Sequence, residues 1–125
     1  MGKIIAVSLG GALGSTARYL LALLVERSGP ANFPVGTLLA NLIGCLFIGL
    51  FWSLFDRFHL TTELRLLLFT GILGGFTTFS TFCRETTQFF KAGEPLLGIS
   101  YLAISNVGGI TMVFVGFWLA HRLLH

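Results

Sequence analysis

The sequence predicts an all-α integral membrane protein of four transmembrane helices, the third of them broken at mid-membrane. Three observations predict it. Only 10% of the 125 residues are charged and 54% are hydrophobic, with a mean hydropathy of +0.87. An ordinary soluble chain is about 25% charged, so this one has too little polar surface to cover a core. Four apolar segments reach the roughly 20 residues that a helix needs to cross a bilayer. The third of them also carries two adjacent glycines followed by a run of hydroxyl residues, which an unbroken span does not need.

The spans fall near residues 4–25, 34–55, 64–90 and 96–120, and the whole chain, 1–125, reads as a single four-helix transmembrane domain. Lys3 precedes the first apolar run, but that run holds Gly10, Gly11, Gly14 and Arg18 and continues to Val25. It fits a retained span better than a short signal-peptide core with a small-residue cleavage site. The connections "ERSGPANF", "DRFHLTTE" and "KAGEP" are short, and no extramembrane domain or internal repeat is visible. Cys45 and Cys83 lie inside apolar segments and read as small packing residues, with no metal motif and no disulfide framework. The net charge of +3 comes from residues near segment ends, which suits lipid headgroups and not nucleic acid.

With four spans, one membrane side carries Lys3, Arg57, Arg65 and Arg122, and the other carries Arg27, Arg84 and Lys91. Lys/Arg bias normally fixes orientation, and here it is nearly absent. Two readings stay open: orientation is set by something else, or the chain inserts both ways and forms an antiparallel homodimer, one gene supplying an inverted repeat. Small residues at four-residue spacing, Gly10 with Gly14, Gly71 with Gly75, and Gly36, Ala40 and Gly44, suit close helix packing in lipid.

Polar groups within spans are costly and each needs a reason. Asn41 lies one turn from Thr37 in the second span, and serves either as helix–helix glue or as a lining amide. Tyr101 and Ser105 make a hydroxyl stripe on the fourth span, while Asn106 points away from it and reads as packing. Arg18 either snorkels to an interface or attracts an anion to a pore mouth, and spacing does not separate the two. In the third span, Gly74 and Gly75 are poor helix formers, and Thr77, Thr78, Ser80 and Thr81 can satisfy backbone groups freed by a break. Unwound carbonyls there are natural ligands for a cation such as Na⁺; the plainer alternative is a kink with hydroxyls bonded back to their own helix. Phe76, Phe79 and Phe82 recur every third residue. Their ring edges are electropositive, although aromatic stripes are more often packing. Glu85 is the one acid within a span, and no nucleophile–base pair, P-loop or metal cluster supports an enzyme.

"GGALGSTARY" (residues 10–19), "NLIGCLFIGL" (41–50) and above all "GGFTTFSTF" (74–82) resemble the Fluc (CrcB) family of fluoride channels. The resemblance extends over all four spans. It implies a multi-pass protein of the cell's inner (plasma) membrane, a dual-topology antiparallel homodimer with two pores that exports fluoride passively and relieves its toxicity. It implies Phe79 and Phe82 as pore phenylalanines, Asn41 as the pore amide, and Ser80, Thr81, Tyr101 and Ser105 as a polar track. Arg18 falls on the family's vestibule arginine, and Glu85 on an acid toward the other end of the pore. Gly74 and Thr77 would offer backbone carbonyls, from both subunits, to a structural Na⁺ at the dimer interface. Cys83–Arg84 and Gly109 depart from the family's pattern, which bears on one pore mouth and on the far end of the track.

Two competing classes fit parts of the sequence. A small dual-topology secondary transporter for cationic amphiphiles fits the size and charge balance, but needs a mid-membrane carboxylate, and the first span's only acid, Glu26, is at its very end. A non-conducting membrane assembly factor would not need the hydroxyl-and-phenylalanine motif.

Overall fold

The computed structural model describes residues 1–28 and 32–125, so part of the first connection, residues 29–31, lies outside the described residues. The described residues are all-helical with no strand, and four helical stretches are long and apolar enough to cross a membrane. α1 is Gly2–Ser28 and α2 is Val35–Arg57. The third stretch, Thr62–Lys91, is composite: α3 (Thr62–Arg65), a π-helix (Leu66–Leu73), α4 (Gly74–Phe76) and α5 (Ser80–Lys91). α6 is Pro95–Leu124. Hydrophobicity marks the lipid and not the end of backbone pairing, so the helices continue a few residues past most apolar segments.

The turns follow from local chemistry. Thr61 caps α3, its hydroxyl accepting from the Leu64 N–H at 3.3 Å. α5 closes in a Schellman turn: the Gly93 N–H donates to Phe90 at 3.2 Å and the Glu94 N–H to Phe89 at 2.9 Å. That turn needs a left-handed residue, and Gly93 has φ 74°. Pro95 then starts α6, where its missing N–H costs nothing.

Packing depends on absent side chains. α1 lies against the π-helix, and α2 against α6. A Cβ on Gly10 would strike the Leu67 carbonyl, and one on Gly14 the Ile72 carbonyl. Gly71 faces Gly10 across the same seam, with its virtual Cβ 2.7 Å from the Gly10 Cα. On the other seam, Gly49 meets the Val113 backbone and Gly116 the Leu46 carbonyl. In lipid, where apolar burial gives no drive for association, such backbone approach supplies the dispersion that holds helices together.

The glycines of the third span need a correction. Gly74 and Gly75 are helical, Gly74 at φ −63°, ψ −38°. The backbone leaves the helix after them, at Thr77 (φ −86°, ψ 158°), and residues 77–79 belong to no helix. Propensity misplaces the departure because Gly75 is used for contact, its virtual Cβ lying 2.8 Å from the Gly11 carbonyl.

Candidate functional site

A helix that stops at Thr77 orphans the N–H groups that follow. The Thr77 N–H still reaches Leu73 at 3.0 Å, and its hydroxyl bonds the same carbonyl at 2.9 Å. Thr78 has no helical partner. Its N–H donates to Asn41 Oδ1 at 2.8 Å, and its carbonyl accepts from Asn41 Nδ2 at 3.0 Å. One amide from α2 thus pairs both backbone groups of Thr78, as a neighbouring strand would. The Thr78 hydroxyl then accepts from the Thr81 N–H at 3.3 Å and starts α5. Room for this comes from Gly44, where a Cβ would strike the Thr77 methyl.

Asn41 retains one amide hydrogen with no acceptor among the described residues, since its NH₂ has two and one is given to Thr78. It lines a groove of 330 Å³ with Gly74, Thr77, Thr78, Phe79, Gly44 and Cys45. The Gly74 and Thr77 carbonyls accept no hydrogen bond among the described residues. Phe79 is 77% exposed and Phe82 only 6%, the two ring centroids 6.0 Å apart.

Phe82 leads into an aromatic cluster. Its ring meets Tyr101 edge-to-face at 5.0 Å, and Phe33 and Phe89 surround the same tyrosine at 5.4 and 6.1 Å. Tyr101 is fully buried, and its hydroxyl donates to Glu85 Oε1 at 3.3 Å. One turn on, the Ser105 hydroxyl is buried with no partner among the described residues, where the Tyr101 hydroxyl is engaged. Ser80 is exposed. Asn106 donates to its own helix, to Leu102 at 2.7 Å, on an exposed face.

A second cavity, of 490 Å³, is lined by Arg18, Thr37, Thr81, Arg84, Glu85 and Glu26 among others. Arg18 is half-buried and its Nε donates to the Gly75 carbonyl at 3.3 Å, so it is tied to the interior and not extended to the helix end. The site residues expected from sequence therefore fall into three places. Asn41, Gly74, Thr77 and Phe79 share the groove; Arg18, Thr81 and Glu85 share the cavity; Ser80, Phe82, Tyr101 and Ser105 lie against neither. Thr78, read from sequence only as one of several hydroxyls that could satisfy freed backbone groups, is the residue Asn41 pairs with, and Phe33 and Glu26 join these places without having been site candidates. Thr78 was legible in principle, as the residue whose N–H loses its partner if the helix ends one residue earlier. Phe33 and Glu26 lie at span edges, where sequence gives no pairing signal.

The fold and site define a multi-pass helical membrane protein with a polar discontinuity inside one span. Residues 5–117 match the family described as CrcB-like protein, Camphor Resistance (CrcB), and the chain belongs to that family. Relatives with the name fluoride-specific ion channel FluC cover nearly the whole chain. That of Desulfotalea psychrophila is 56% identical over 121 residues, 97% of this chain and 94% of its own. That of Aquifex aeolicus is 44% identical over 124 residues, 98% of this chain and 100% of its own, and that of Phocaeicola vulgatus is 42% identical over 120 residues, 96% and 99%.

Proposed function

We propose that this protein is a fluoride-selective channel of the inner membrane, through which fluoride leaves the cell passively, and that it works as an antiparallel homodimer with two pores. The observation that carries the reading is the Asn41–Thr78 pairing. It holds a non-helical segment inside a span and leaves an amide hydrogen directed to no protein acceptor, in a chain whose relatives carry the name of fluoride channels.

Fluoride is small and strongly hydrated, so a pore must replace its water with donors. Asn41 offers one N–H, and the free Ser105 hydroxyl offers another. Ser80 and Thr81 add hydroxyls at the start of α5, and the edges of Phe79 and Phe82 add weak positive potential. Tyr101 contributes as the wall behind Phe82, its own proton held by Glu85. Arg18 and Thr81 belong to an aqueous vestibule, the 490 Å³ cavity. A passive anion path in an inside-negative cell conducts outward.

The dimer reading is supported by what lipid cannot do. The unpaired Gly74 and Thr77 carbonyls lie halfway along a 30-residue span, and hydrocarbon offers no donors to exposed backbone. A second copy covering this groove, with a structural Na⁺ between the paired carbonyls, answers both needs. The residues fit that ion: neutral oxygen ligands at a helix discontinuity suit a hard monovalent cation.

The test is efflux from liposomes loaded with potassium fluoride, started with valinomycin and followed with a fluoride electrode against a chloride-loaded control. Fast fluoride loss without chloride loss supports the channel. Tight liposomes holding well-folded dimer would refute it and return the third-span motif to a packing role.

A further inference from the structure

Resting on the channel reading, we infer that Arg84 sets the electrostatic balance of the vestibule, and so the rate at which fluoride enters, by offsetting Glu26. The 490 Å³ cavity takes charged side chains from two helices: Arg18 and Glu26 from α1, Arg84 and Glu85 from α5. Two arginines face two glutamates, so the formal charge of the wall cancels. The four are not equally placed. Arg18 is held on the Gly75 carbonyl, and Glu85 accepts from Tyr101. Arg84 and Glu26 are both exposed, and among the described residues Arg84 is steered by one bond of 3.2 Å, from Nη1 to Gln88 on its own helix. They are the two exposed charges of the wall. Without Arg84 the wall carries a net negative charge and repels the permeant anion.

Such an effect is long-ranged and screened by salt. A charged, low-dielectric cleft concentrates ions of opposite sign and excludes those of like sign. The Debye length falls from about 30 Å at about 10 mM salt to about 3 Å at about 1 M. The inference therefore makes a signed prediction that a packing role does not. In fluoride-loaded liposomes at low ionic strength, R84Q slows efflux about threefold, less than the roughly tenfold or more by which clefts lined throughout by one sign of charge change ion access, since one charge alone is lost. E26Q speeds it, R84K leaves it near the wild-type rate, and R84Q/E26Q restores it. Raising the salt with an impermeant anion such as glutamate removes the differences. The inference is overturned if R84Q conducts like wild type at low salt, if its deficit persists unchanged at high salt, or if E26Q fails to rescue it. The wild-type arm reads the channel activity itself, so loss of the parent reading is seen separately from loss of this one.

Discussion

Asn41 is the residue on which the site depends most. Two hydrogen bonds join it to Thr78, and removing it leaves a backbone donor and acceptor unpaired, at about 1–3 kcal/mol for each buried group. Asn41→Asp keeps the size and separates structure from electrostatics. The carboxylate still accepts from the Thr78 N–H but cannot donate to its carbonyl, and it adds a negative charge to the anion's path. The expected result is a dimer that purifies normally with fluoride efflux reduced at least about tenfold, as befits a like charge in a pore of low dielectric. Unchanged efflux would remove Asn41 from the conducting path. Much of this was legible in the sequence: an amide inside a span is costly, and Asn41 is the one amide of the second span. Its partner was not, because the amide meets a backbone group, and every residue carries those. Arg18 shows the same limit. Its half-buried state and its bond to the Gly75 carbonyl are contacts that spacing could not show.

At the scale of elements, the apolar segments and turn residues placed the four spans, because lipid imposes a length and Gly93–Glu94–Pro95 allow little besides a turn. The interior of the third span was harder to read. Glycine lowers helix propensity, so the pair at 74–75 marked the break, yet both are helical and the backbone departs at Thr77. Contact overrides propensity there, since the α1 seam requires bare backbone on both sides. This makes Gly14→Leu a sharp test. The added side chain would overlap the Ile72 carbonyl directly, and backbone cannot move aside as a side chain can. Overpacking of this kind costs about 1–3 kcal/mol or more. We expect a clear fall in thermal stability in detergent, measured by loss of the monodisperse peak on size exclusion. Gly11→Ala, where a Cβ meets nothing within 4 Å, is the control and should leave the peak unchanged. Equal tolerance of both would mean that α1 and the π-helix are not in close backbone contact.

At the scale of the whole molecule, the single chain has an unmet requirement and the sequence an unused freedom. The requirement is the groove around residues 77–79, with carbonyls unpaired among the described residues and a phenylalanine 77% exposed at mid-span. The freedom is a Lys/Arg distribution that favours neither orientation. A copy inserted the opposite way brings the same groove to the same depth, which an independently folded partner would meet only by chance. Orientation can then be forced and its consequence read. Asp56→Lys with Glu63→Lys adds positive charge to the side of the N- and C-termini, and Glu94→Lys adds it to the other. All three side chains are exposed, so the changes act on insertion and not on the core. C-terminal tags on the parent chain should be accessible from both membrane faces in comparable amounts, and each charge-biased variant should show one face only. Expressed alone, each variant should lose most fluoride efflux for want of an inverted partner; expressed together, they should recover it. A biased variant that conducts fully alone would exclude antiparallel pairing, and the exposed groove would then require cover from lipid-facing structure or from a copy in the same orientation.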